Sequence, residues 1–186
     1  MSRPRAPLLI DASEWFVDEV WRAHVASRHW RRLPQRAERS LLLALQMLRR
    51  HECRATFCVP AAVARRTPAL IEELVAGGHE VALSVATERP LDEIDAAERD
   101  TVVAAWVRDR IDLERVLGAG VHGFRAAWSA ADGEAWWRHR LLELAFDYDA
   151  TGVRGADEVA VRLASTGAND SCRLRVFHTW RLDDQQ

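Results

Sequence analysis

Lysine is absent: all 26 basic side chains in this chain of 186 residues are arginine. We read that as the codon bias of a GC-rich genome, not as a functional signal. The arginines are interleaved with 28 acidic residues, the net charge is −2, and no basic stripe emerges. A nucleic-acid role therefore has little electrostatic support. Cysteine is also scarce. There are three, an odd number, with none of the paired spacings of a zinc finger; Cys53 and Cys58 are expected to pack in or beside a strand as small hydrophobes. No apolar run approaches the roughly 18 residues of a membrane span. The run Leu8-Leu9-Ile10 is far too short for a signal peptide's apolar region. The expected setting is the cytoplasm, with reduced thiols. With 9 Gly and 6 Pro, collagen-like and low-complexity classes are excluded, and 48% hydrophobic residues exclude a disordered chain. The length fits one domain, residues 1–186, with a substantial core.

What is present alternates between strand and helix. Leu8 to Ile10 reads as a buried strand ending at Asp11. Residues 12–34 are irregular and aromatic. Residues 35–51 carry Ala37, Leu41, Leu45 and Leu48 on one helical stripe. Residues 53–59 read as a strand, and Pro60 opens a new segment. Thr67 as N-cap, Pro68 in the first turn and Gly77-Gly78 at the end delimit a helix. Glu80–Ser84 is a strand, 91–117 a long helix stopped by Gly118 and Gly120, and Val121–Arg125 a strand. A helix over 132–145 precedes a short strand near Tyr148. A Gly-rich, polar interval leads to a last strand, Arg173–His178. This rhythm predicts an α/β fold with a mostly parallel sheet. Such folds carry their chemistry at the C-terminal ends of the strands, which here deliver Asp11, Pro60, Ser84, Arg125, Asp149 and His178. Acids, a guanidinium and an imidazole on one rim form a candidate acid–base constellation.

Several stretches resemble a known family. Arg32-Leu33-Pro34 through Glu52, Arg54-Ala55-Thr56-Phe57, Pro68 through Gly77-Gly78-His79-Glu80, and Val176-Phe177-His178-Thr179-Trp180-Arg181-Leu182-Asp183 look like the NodB-type polysaccharide deacetylases (carbohydrate esterase family 4). The most similar branch is the one associated with exosortase and exopolysaccharide gene clusters. The resemblance spans about residues 8–184. It implies a distorted, here shortened, (β/α) barrel of the NodB-homology type. It also implies a hydrolase that removes acetyl groups from N-acetylated sugars with a divalent metal, usually zinc, held by one Asp and two His.

Carried over motif by motif, Asp11 stands at the general-base position and Glu14 at the metal-binding Asp position, within Ile10-Asp11-Ala12-Ser13-Glu14-Trp15-Phe16. In Leu83-Ser84-Val85-Ala86-Thr87-Glu88, Ser84 and Glu88 occupy the two metal-histidine positions, and neither is histidine. His79 matches a position before that motif and is not a ligand. Phe124-Arg125-Ala126-Ala127-Trp128 keeps Arg125, which orients the base in the family. Tyr148-Asp149-Ala150-Thr151 keeps Asp149, and the last motif keeps His178 at the general-acid position. Zinc is expected to be weakened strongly, because a serine hydroxyl is a poor substitute for imidazole. Three readings follow. One is a polysaccharide deacetylase-like protein of exopolysaccharide metabolism that has lost normal zinc-dependent deacetylation and either binds sugar or acts as a partner in exopolysaccharide production. The second is a hydrolase with a rebuilt oxygen-rich site of Asp11, Glu14, Ser84 and Glu88, suited to Mg²⁺, Ca²⁺ or Mn²⁺. The third is a purely structural or oligomer-forming module. Trp15, Trp128 and Trp180 are candidate rings for stacking on a carbohydrate polymer or oligosaccharide. Against these stand plainer roles: Asp11 as a turn cap, Glu14 and Glu88 as surface carboxylates, Arg125 as structural partner of Asp11 or Asp149, and His178 as a core or rim histidine.

Overall fold

A computed structural model of the chain describes residues 8–17, 24–87, 89–126 and 136–151, and the backbone of strands Val159–Arg162 and Arg175–Val176. The elements are β1 (Leu8–Asp11), α1 (Ala37–Arg50), β2 (Ala55–Pro60), α2 (Ala61–Arg66), α3 (Pro68–Ala76), β3 (Glu80–Val85), α4 (Ala96–Leu117), β4 (Gly123–Ala126), α5 (Trp136–Glu143), β5 (Tyr148–Asp149), β6 (Val159–Arg162) and β7 (Arg175–Val176). Short 3-10 helices lie at Trp15–Val17, Ser27–Arg32 and Leu91–Glu93.

Among the described residues, the strands lie in the sheet in their sequence order. β1 to β5 run parallel; β6 is antiparallel to β5, and β7 to β6. A doubly wound sheet reverses its order partway; this one does not. Right-handed crossovers between successive neighbours place every helix on one face. The five parallel strands therefore curl into half of a barrel.

Strand alternation sorts side chains between the two faces. Phe57, Val59, Val81, Leu83, Val85, Phe124 and Ala126 face the helices and form the main core with Leu41, Leu45, Leu74, Leu113 and Trp137. Each buried large side chain contributes about 1.5–3 kcal/mol. The opposite face carries a second, smaller apolar layer of Leu9, Cys58, Ala82 and Ala150, with Tyr148 packed against it. Cys58 is thus the strand-borne small hydrophobe expected, whereas Cys53 is exposed.

The α1 stripe is buried as its spacing predicts, at Ala37, Leu41, Leu45 and Leu48. Other expectations are corrected. Thr67 makes no side-chain cap on α3; its hydroxyl donates back to the Val63 carbonyl at 3.0 Å, closing α2, a helix the sequence reading had not separated. The helix expected over 91–117 starts at Ala96, because Leu91–Glu93 forms its own turn and Ile94 is extended. Gly118, at φ 66°, ends α4 in the left-handed conformation that glycine adopts without strain. The interval read as Gly-rich and polar contains β6, and the strand expected over Arg173–His178 is described only at Arg175–Val176. Among the described residues no helix is long and apolar enough to cross a membrane.

Candidate active site

Register places the site. β1 pairs Asp11 with Cys58, β2 pairs Pro60 with Ser84, and β3 pairs Ser84 with Arg125. Alternation then sends Asp11, Ser84 and Arg125 to the helix-free face, at its C-terminal rim, above the layer of Leu9, Cys58, Ala82 and Ala150. Asp11 Oδ1 accepts the Ser13 backbone N–H at 2.9 Å. Asp11 Oδ2 lies 3.5 Å from Arg125 Nε, with the Asp11 side chain 39% exposed and the Arg125 side chain 9%. Arg125 Nη1 donates to the Ala150 carbonyl at 3.1 Å. The guanidinium is therefore held from below and presents its edge to a partly solvated carboxylate. The Ser84 and Ser13 hydroxyl oxygens are 3.3 Å apart. Hydroxyls, a carboxylate and a fixed cation gathered on one rim can bind a polyhydroxylated ligand through paired donors and acceptors.

Glu14, only three residues beyond Asp11, faces elsewhere. It is buried. Its Oε2 accepts the backbone N–H groups of Arg36 at 2.8 Å and Ala37 at 3.2 Å. Its Oε1 accepts Arg66 Nη2 at 2.5 Å. The carboxylate thus satisfies orphan donors at the start of α1 and ties that end to α2.

Asp149 also faces away from the rim. It pairs in register with Phe124, a residue of the helix-side core. Its Oδ2 accepts Trp137 Nε1 at 2.8 Å and lies 3.5 Å from Arg138 Nε. Its Oδ1 accepts the Thr151 N–H at 2.9 Å and the Thr151 hydroxyl at 2.5 Å. Thr151 Oγ1 in turn accepts the Ala126 N–H at 3.1 Å. The carboxylate thus joins α5 to the ends of β4 and β5. Trp15 is half-buried; its indole N–H donates to the Pro34 carbonyl at 2.9 Å, and the Arg36 guanidinium sits 5.7 Å from its ring centroid. Glu88, Trp128, His178 and Trp180 lie outside the described residues.

The donors at Glu14 and Ser84, the metal positions among the described residues, do not fit the metal that the resemblance implies. Both Glu14 oxygens are engaged by amides and a guanidinium, and Ser84 offers a neutral hydroxyl. Among the described residues no three His, Cys, Asp or Glu side chains gather in a metal-binding group. His79 lies before β3, at the other end of the sheet. Its Nδ1 accepts the Ala55 N–H at 3.2 Å. Burial first, then the Arg49 and Arg54 guanidiniums, hold its pKa below the usual histidine value.

Sequence reasoning missed Ser13, Arg66, Trp137 and Thr151 as partners of the candidate residues. The i, i+2 spacings of Asp11 with Ser13 and of Asp149 with Thr151 were legible clues, since an Asp side chain commonly accepts the N–H two residues on.

Neither a family model nor a curated protein matches the sequence. Solved structures do match. A protein of Mycobacterium smegmatis assigned to the polysaccharide deacetylases superposes with a TM-score of 0.58 at 21% identity, covering 94% of this chain and 60% of its own. A family 4 carbohydrate esterase from Streptomyces lividans gives 0.53 at 18% identity, covering 78% and 60%. The polysaccharide deacetylase Bc1974 from Bacillus cereus gives 0.52 at 19%, covering 81% and 60%. The fold is therefore that of the polysaccharide deacetylases, and this chain spans 60% of the length of each of these three.

Proposed function

We propose that the chain is a polysaccharide deacetylase-like member of carbohydrate esterase family 4 that serves exopolysaccharide metabolism. In this reading it binds carbohydrate at the Asp11–Ser84–Arg125 rim and has lost normal zinc-dependent N-deacetylation. The observation that carries the reading is the fate of Glu14. Its position is the metal carboxylate in the resemblance, and its two oxygens are consumed by α1 amides and Arg66. Without a Lewis acid, the rim keeps a base position and its arginine but has no evident means of stabilising a tetrahedral oxyanion, usually the largest catalytic contribution. Asp11, Ser13 and Ser84 then act as hydrogen-bonding partners for sugar hydroxyls, with Arg125 fixing Asp11.

The test combines elemental mass spectrometry of chain purified without chelator or metal-affinity resin with acetate release from N-acetylated oligosaccharides and with glycan binding. The expected result is substoichiometric zinc, no turnover, and binding of neutral oligosaccharide weakened by Asp11→Ala. One equivalent of zinc with acetate release would overturn the loss of chemistry. Stoichiometric Mn²⁺ or Ca²⁺ would favour the oxygen-rich site instead. Absence of any glycan binding would overturn the carbohydrate role.

A further inference from the structure

The interleaving of charges gives way to an arginine-rich segment after β1. Residues 24–39 hold five arginines and two histidines against a single acid, Glu38. Arg28, Arg31, Arg32, Arg36 and Arg39 are all exposed. Elsewhere several arginines are paired, Arg49 with Glu73, Arg65 with Asp112, Arg110 with Glu114, and Arg140 with Asp100 and Glu143, and the described ones without a carboxylate partner, such as Arg50, Arg99 and Arg108, form no such run in sequence. Among the described residues, no carboxylate pairs with any of the five.

The segment is also built. Its 3-10 helix, Ser27–Arg32, is closed by the Leu33 N–H on the Trp30 carbonyl. The Trp30 indole N–H donates to the Val25 carbonyl at 3.2 Å, and Gln35 Nε2 donates to the Leu33 carbonyl at 3.0 Å. The half-buried ring of Trp30 packs on Phe16 at 5.7 Å. The segment is tied to the two residues that follow the rim residue Ser13 in the chain: the Arg36 N–H is 2.8 Å from Glu14, and the Trp15 indole N–H donates to the Pro34 carbonyl. It forms the latter part of the connection that leaves β1 at Asp11.

We propose that this cationic strip is the acidic-glycan subsite of the protein, so that its ligand is a carboxylate-bearing polysaccharide running from the Asp11–Arg125 rim across Arg28, Arg31 and Arg32. The proposal rests on the carbohydrate reading above. Guanidinium forks match carboxylates bidentately, and a row of them suits a polymer with an anion on successive residues. A polyanion binding to such a row releases condensed counterions, so its affinity falls steeply with salt. The segment belongs to the same β1–α1 connection as the rim residue Ser13, which favours a ligand shared with the rim, a glycan, over nucleic acid, which would need the charges alone.

The full chain is titrated with a polyuronate, with a neutral dextran oligosaccharide, and with a single-stranded DNA oligomer, each at two salt concentrations. Arg28→Gln/Arg31→Gln/Arg32→Gln is compared with a control of equal charge change on other surfaces, Arg50→Gln/Arg108→Gln/Arg115→Gln. The expected result is polyuronate binding that weakens with salt, falls by about tenfold or more in the first triple variant, and is unchanged in the control. Three results overturn the proposal: equal affinity for polyuronate and dextran, equal losses in both triple variants, or tighter binding of DNA than of polyuronate. Binding of neutral oligosaccharide that Asp11→Ala abolishes, without preference for polyuronate, would sink the strip alone and leave the carbohydrate rim standing. No carbohydrate binding at all would remove both.

Discussion

Asp149→Asn separates a structural carboxylate from a rim carboxylate. The Asp149 side chain is 1% exposed and receives donors on both oxygens. An amide has one acceptor oxygen. Turned toward Thr151, it points its NH₂ at the Trp137 indole N–H; turned toward Trp137, it points NH₂ at the Thr151 N–H. Either orientation leaves a buried donor facing a donor, which costs about 1–3 kcal/mol. Loss of the charge weakens the remaining bonds by about 1 kcal/mol more. The expected destabilisation is about 3 kcal/mol, or roughly 6–12 °C in Tm for a chain of this size. Asp11→Asn is the comparison: its half-exposed carboxylate stands 3.5 Å from the buried Arg125 guanidinium and accepts a single backbone N–H, so the loss should be smaller, about 1–2 kcal/mol. Urea unfolding followed by tryptophan fluorescence and near-UV circular dichroism measures both, and Trp137 sits against the altered group. If Asp149→Asn unfolds within about 0.5 kcal/mol of the parent, or Asp11→Asn proves the more damaging, the assignment of Asp149 to the helix-side core is wrong.

Glu14→Gln should destabilise by about 1–3 kcal/mol in the same urea assay, since it unpairs Arg66 and leaves one acceptor for the start of α1; a neutral effect would return Glu14 to the list of free carboxylates. A Cβ on Gly123 would lie 2.2 Å from Cζ and Oη of Tyr148, so Gly123→Ala should displace that ring and cost about 1–3 kcal/mol, read as a lower urea midpoint. Tyr148 is the sole tyrosine, and burial first, then Glu80, push its hydroxyl far above the usual phenol range; phenolate absorbance should stay flat through pH 10 and appear only as the chain unfolds. His79 titrates in the opposite sense: its folded pKa lies below 6.5, so the unfolded chain takes the proton first as pH falls. Stability present above that value should decline as pH drops through and below it, and His79→Gln should flatten that slope.

Much of the fold was legible because it rests on local periodicity. The α1 stripe, the Pro68 start and the Gly118 stop each follow from spacing or backbone freedom. The rim residues Asp11, Ser84 and Arg125 were legible for the same reason, since each sits at or near the end of a strand long enough to read. Asp149 was not. β5 spans only Tyr148–Asp149, too short to display an alternation, so nothing local distinguished the rim from the core. Glu14 was hidden differently. Its partners Arg36 and Arg66 lie 22 and 52 residues away, and only the packing of α1 beside α2 brings them together. The cationic segment was overlooked because whole-chain charge balance averages out a local excess.

The antiparallel pair at the end of the sheet has a consequence for the direction of the chain. β6 descends where β1 to β5 ascend, and β7 reverses it again. Two inversions cancel, so β7 points the same way as β1, and its last residue, Val176, exits toward the end of the sheet where Asp11 stands. The antiparallel pair acts as a topological return: at the edge of the sheet opposite β1, the chain regains the polarity with which it began.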